Sequence, residues 1–207
     1  MSLRPFDISK VPSPPHDVQQ SVMGFLKKPC KKLNIEIGCG VGFHPIQYAL
    51  NHSDENIIAI ERTSEKFEKF KGRLRNHNLA NLLGVHAEAA ILLPHTLEAQ
   101  SVDQYFILYP NPYPKESQKN LRWAHLPFLN FVMSTLKPGG SLQFATNLEF
   151  YKDELLERLP EMFQFETVDC KEVTSSPKPL THFEKKYLAD GQTCFHIRFK
   201  RGQAINL

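Results

Sequence analysis

Three carboxylates and three glycines stand at spacings that can hold a ligand. Glu36 lies two residues before Gly38 in Glu36-Ile37-Gly38-Cys39-Gly40-Val41-Gly42, and Phe43-His44-Pro45 follows. Glu61 closes the run Ile57-Ile58-Ala59-Ile60-Glu61, and Glu88 lies just past Leu82-Leu83-Gly84-Val85-His86. The glycines remove side chains where a ligand or a helix must approach the backbone closely. A helix entered through such a turn offers free N–H groups and a positive dipole end to a nucleotide-like ligand. The dinucleotide fingerprint needs a third glycine three residues after the second. That position is Phe43, so the pattern is acid-x-Gly-x-Gly-x-Gly instead. Glu61 lies 19 residues after Gly42 and 23 after Gly38, where an acid holds a ribose hydroxyl pair. The plainer readings are a tight strand-to-helix turn without ligand, and an acid at a helix N-terminus.

These carboxylates meet only if the chain forms an open α/β sheet, because ligands of such sheets bind at the carboxyl ends of the strands. Short apolar runs predict strands at 33–37, 56–61, 82–86, 102–108 and 141–145. Helical spacing predicts helices at 16–28, 46–51, 64–76, 120–136 and 148–159, the fourth stopped by Lys137-Pro138-Gly139-Gly140. Residues 163–169 and 193–200 alternate as a closing antiparallel pair, and the polar connection 172–192 is too long for a hairpin turn. The fourth strand runs into Tyr109-Pro110-Asn111-Pro112-Tyr113-Pro114-Lys115. Its prolines stiffen the loop, so Asn111 and Tyr113 face fixed directions beside the ligand; a rigid turn without chemistry is the alternative. Residues 1–15, with Pro5, Pro12, Pro14 and Pro15, read as an extended arm.

A chain of 207 residues buries one core, so one domain spanning 1–207 is expected. No apolar run reaches the ~20 residues of a membrane span, and the start lacks a signal pattern. Cys30, Cys39, Cys170 and Cys194 form no metal-binding spacing. A reduced, cytoplasmic protein without structural metal or membrane partner follows. Cys39 reads as a small turn residue, not a nucleophile. The net charge of +3 permits a nucleic-acid partner without arguing for one. Lys27, Lys28, Lys31 and Lys32 read as a solvated helix end, or else as phosphate contacts.

The acid-x-Gly-x-Gly-x-Gly turn resembles the first motif of class I S-adenosylmethionine methyltransferases, whose cationic ligand suits a carboxylate. From about Leu33 to Arg201 the chain resembles the bacterial tRNA (guanine-N7-)-methyltransferase family. The resemblance rests on the glycine turn, Ile60-Glu61, Pro110-Asn111-Pro112-Tyr113-Pro114-Lys115, Leu136-Lys137-Pro138-Gly139-Gly140, and Thr181-His182-Phe183-Glu184. It implies a Rossmann-like class I fold: a seven-stranded, mostly parallel sheet with an antiparallel last strand. It implies S-adenosyl-L-methionine as cofactor, bound by Glu36, Gly38, Gly40, Gly42, Glu61 and Glu88. Asn111 and Tyr113 would stand at the reacting atoms. Lys115, Asn147, Thr181 and Glu184 would hold the substrate, with Thr181 and Glu184 matching the family's Thr-x-x-Glu signature for the guanine edge.

The chain departs from that pattern at Asn111 and Asn147, where the family has Asp, and at Tyr113, where it has Trp. The family's basic stretch after the loop is reduced to Lys119 and Arg122 within Glu116-Ser117-Gln118-Lys119-Asn120-Leu121-Arg122. Phosphate contacts supply much of the affinity for nucleic acid, so weakened tRNA binding is expected. Guanine N7 already carries a lone pair, so positioning and charge placement would carry the catalysis. Glu184→Gln is expected to weaken substrate more than cofactor binding. The order Asn-Pro-Tyr-Pro also invites an amino-group methyltransferase reading, and the lost charges a non-catalytic, cofactor-binding partner subunit.

Overall fold

Seven apolar segments pair into one sheet. They are Lys32–Ile37 (β1), Glu55–Glu61 (β2), Leu82–His86 (β3), Val102–Leu108 (β4), Leu136–Thr146 (β5), Phe165–Val173 (β6) and Cys194–Arg201 (β7). The computed structural model describes residues 4–163 and 165–202. The strand order is β3-β2-β1-β4-β5-β7-β6. Strands β1 to β5 are parallel, while β7 runs antiparallel to both β5 and β6. This is the sheet the sequence led us to expect. Strand β2 is buried along its whole length, as a central parallel strand covered on both faces must be.

The helices are His16–Leu26 (α1), Phe43–Asn51 (α2), Ser64–Leu74 (α3), Ala89–Leu92 (α4), Phe128–Thr135 (α5), Glu149–Phe163 (α6) and His182–Ala189 (α7). Successive strand residues point to opposite faces, so two cores form. Ile35, Ile58, Ile60, Tyr105 and Phe144 pack with α1, α4, α5 and α6. Ile57, Ala59, Phe106 and Leu108 pack with Ile46 and Ala49 of α2 and Phe70 of α3.

Four expectations change in the structure. The helix expected at 120–136 is two 3₁₀ turns, Glu116–Leu121 and Trp123–His125, followed by α5. Pro127 is the cause: it drives Leu126 into extended backbone and restarts the helix behind itself. Strand β5 begins at Leu136 and includes the expected helix stop. The polar connection 172–192 contains α7. The arm is docked: Phe6 packs on Phe128 and Phe131 at 5.4 and 5.9 Å, and the Pro12 carbonyl accepts a bond from His95. Residues 1–3 of that arm, and Gln164 of the expected sixth strand, lie outside the described residues.

The order of the sheet reverses between β1 and β4. At such a switch point the connections leave in opposite directions and open a crevice. The glycine turn follows β1 and the proline loop follows β4, so this topology alone sets the two against each other.

Candidate active site

The glycine turn is tied to β2. Gly38 and Cys39 donate to the Ile60 carbonyl at 2.8 and 3.0 Å. Gly40 donates to Glu61 Oε2 at 2.8 Å, and Thr63 donates to Oε1 at 2.7 Å. Glu61 therefore holds the turn from the end of β2 and still faces the crevice. Gly38 and Gly40 have φ of +79° and +59°, and a side chain on either would point into open space. Gly42 differs: a Cβ there would fall 1.9 Å from the Phe70 ring. Gly42, expected in cofactor binding, packs against Phe70 and is not among the residues that line the crevice.

Glu36 is buried and bonded to His44 Nδ1 at 2.7 Å. Glu88 pairs with Arg62 at 3.2 Å. Burial, then the charges of Glu36 and Glu61, pushes the Cys39 thiol well above its ordinary range. That leaves Cys39 inert as a nucleophile. The crevice measures about 640 Å³, within the roughly 300–1,000 Å³ of small-ligand sites. Glu36, Gly38, Gly40, Glu61, Glu88, Asn111, Tyr113, Asn147 and Thr181 all line it. Lys115 and Glu184 do not.

The proline loop is strained and clamped. Tyr109 and Tyr113 have φ of 52° and 45°, a region that costs bulky residues about 1–3 kcal/mol each. Tyr109 is fixed by its N–H on the Ala145 carbonyl at 2.8 Å and its hydroxyl on Glu184 at 2.9 Å. Tyr113 is fixed by its carbonyl, which accepts from Arg122 Nε at 3.0 Å. The same guanidinium reaches the Pro114 and Lys115 carbonyls at 3.4 Å and Glu154 at 3.0 Å. Arg122 is buried and Lys119 pairs with Glu116. Of the two cations left in the family's basic stretch, Arg122 is thus spent inside the protein, and Lys119 is held in a surface pair. Lys28, Lys31 and Lys32 are engaged too, by the Ala80 carbonyl, Asp54 and Glu55.

Glu184 is 0% exposed. Thr181 caps α7 by accepting the Glu184 N–H at 3.1 Å, and Glu184 Oε1 accepts the Leu180 N–H at 3.1 Å. This is a near relative of the capping box. Oε2 accepts from Tyr109 and from His196 Nε2 at 2.8 Å. Burial raises its pKa, but His196, the Leu180 N–H and Tyr109 outweigh that and hold the carboxyl below its usual range. With those donors in place, Glu184 presents no free edge to a purine. Expected at the guanine edge, Glu184 joins α7, β7 and the proline loop in the structure. Asn147 donates to Gln192 at 2.7 Å. Sequence reading missed His44, Tyr109 and His196 and took Arg122 for a surface cation; only Thr181-x-x-Glu184 carried a local signal, that of a helix cap.

S-adenosyl-L-methionine fits this crevice. The turn leaves open space over Gly38 and Gly40, and three carboxylates line the wall for a ligand bearing ammonium and sulfonium charges. Residues 30–197 match the family described as putative methyltransferase. The chain is 31% identical over 169 residues to the tRNA (guanine-N(7)-)-methyltransferase of Nitrosomonas europaea, covering 81% of this chain and 75% of that protein. It is 31% identical over 174 residues to the enzyme of the same name from Roseobacter denitrificans, covering 83% and 74%. Among solved structures, the 16S rRNA methyltransferase KamB superposes with a TM-score of 0.65 at 18% identity, covering 97% of this chain and all of that one (100%). That last likeness is one of fold. Turn, crevice and kinship agree: the chain belongs to the tRNA (guanine-N(7)-)-methyltransferase family, and it is an S-adenosyl-L-methionine-dependent methyltransferase.

Proposed function

We propose that this protein methylates N7 of a guanine in tRNA. The observation that carries the reading is that the region matched to its relatives includes the glycine turn and the proline loop, which face one crevice. S-adenosyl-L-methionine supplies an electrophilic methyl on a sulfonium. The N7 lone pair would take that methyl carbon as the carbon–sulfur bond breaks, and the leaving pair would stay on sulfur. The purine takes up the positive charge, so no base is required.

Glu36 and Glu88 serve the cationic end and the base of the cofactor, and Glu61 its ribose. Asn111 Oδ1 accepts the Tyr113 N–H at 3.4 Å. That long bond leaves the amide oxygen free to face the purine, while the Tyr113 ring supports its plane. Asn147 and Thr181 form the far wall. Glu184 and Arg122 are positioning residues, and Lys115, exposed outside the crevice, meets the substrate at its rim. A cytoplasmic setting follows from a tRNA substrate. Among the described residues no helix is long and apolar enough to cross a membrane.

The test is incubation with methyl-labelled cofactor and unmodified tRNA transcript, followed by nucleoside analysis. The expected product is 7-methylguanosine. Label on an exocyclic amine would replace this reading with the amino-group one. No transfer, with cofactor binding intact by calorimetry, would overturn it in favour of a non-catalytic partner subunit.

A further inference from the structure

A second cavity, of about 820 Å³, lies beside the first. Phe43 and His44, the first turn of α2, line both and so form the wall between them. The two differ in charge. Glu36, Glu61 and Glu88 line the first, together with Arg62 and Lys66. The second has Lys178, Lys185, His44 and His52 on its wall and, among the described residues, no carboxylate. Neither the Lys178 nor the Lys185 ammonium pairs with a carboxylate among the described residues, whereas Lys10, Lys31, Lys32, Lys69, Lys71, Lys119, Lys137 and Lys152 all do. Ser175 and Ser176 add hydroxyls, and the stacked Tyr48 and His52 rings, 4.2 Å apart, give a flat aromatic floor.

We infer that this second cavity is a subsite for the phosphodiester backbone of the substrate RNA, holding a nucleotide next to the one in the crevice. The inference deepens the tRNA reading and answers a difficulty in it. The stretch after Lys115 has little cation left for phosphate, because Arg122 is buried in the loop clamp and Lys119 sits in a surface pair with Glu116. Unpaired lysines on the opposite side of the crevice supply what that side lacks. A backbone crossing from the first cavity to the second passes over Phe43, with phosphates at Lys178 and Lys185 and a base against the aromatic floor. Lysine–phosphate contact combined with base stacking is how single strands are gripped without sequence preference.

The test uses a probe that cannot be methylated at guanine: a labelled 12-nucleotide oligouridylate, titrated at several salt concentrations. Wild-type protein should bind it with a steep salt slope. The double variant Lys178→Gln/Lys185→Gln should lose about 1.4 from that slope, and so bind roughly 10- to 30-fold more weakly at 0.1 M salt. Lys10→Gln/Lys200→Gln, of equal charge but remote from the cavity, should bind like wild type. Unchanged calorimetric affinity for S-adenosyl-L-methionine certifies the fold of both variants. Three results overturn the inference: no wild-type binding, equal loss in both variants, or polyglutamate competing as well as oligouridylate, which would assign an acidic-peptide surface. Nucleoside analysis of tRNA, run separately, reports on the methylation reading, so the two can fail independently.

Discussion

Gly40 and Gly42 occupy the same motif and do different work. At Gly40 the left-handed backbone is needed and the space above is open. Gly40→Ala should weaken cofactor binding about tenfold by calorimetry, with a small loss of stability from the positive φ. At Gly42 the same substitution drives a methyl into Phe70. It should cost about 2–4 kcal/mol and lower Tm by roughly 5–15 °C. Gly42→Ala/Phe70→Leu should recover part of that, and no recovery would contradict the packing role. Glu184 tests a different kind of dependence. Its carboxyl is depressed in the folded state, so its contribution is complete above the unfolded value of about 4.3 and is lost as pH falls through the folded one. Thermal unfolding followed from pH 7 to pH 3 should therefore fall less steeply for Glu184→Gln than for wild type. The variant should also be less stable at pH 7 by about 1–3 kcal/mol, since Gln replaces one acceptor oxygen with a donor.

The element that decides the substrate side is the loop from Tyr109 to Lys115. Its two tyrosines in left-handed conformation persist only because the surroundings over-determine them. Arg122 is the chief restraint, with three loop carbonyls on one guanidinium and Glu154 behind it. Arg122→Met would leave Glu154, whose side chain is 13% exposed, with only His125. Such a loss costs about 3 kcal/mol, or roughly 6–12 °C in Tm. Arg122→Lys keeps the charge but cannot span three carbonyls. It should lower kcat/KM for tRNA about tenfold while leaving cofactor affinity unchanged. Equal loss of both would show that the clamp acts on the whole fold and not on the loop. Pro127 explains the other local surprise. A run that is apolar at helical spacing still breaks, because Pro127 pushes Leu126 out of the helical region and lacks the N–H that would carry the turn onward.

At the scale of the whole molecule, the sheet order separates two charge environments. Carboxylates at strand ends converge at the switch point, and unpaired lysines gather across α2 from them. Cofactor binding should stabilise the folded chain by about 2.7 kcal/mol at a concentration of 100 Kd, raising Tm by roughly 5–11 °C. A shift of that size without RNA present would show that the cofactor crevice is formed before substrate arrives.

The sequence by itself determined the strands, the glycine turn and the acids at the ends of the first three strands; α7 it left as a polar connection. What it determined rests on local properties such as periodicity and a positive φ. It also determined the parallel sheet, since strands alternating with helices can close in few ways. Only the tertiary structure decided that Gly42 faces Phe70, that His44 holds Glu36, that Arg122 clamps the loop and that Tyr109 and His196 meet on Glu184. Glu184 and Arg122 look like surface residues in a list of charges. They are buried because distant segments bring donors and acceptors to them, Tyr109 from 75 residues away and Glu154 from 32. A charge enters a protein interior only where such partners converge. Spacing along one segment carries no record of that convergence.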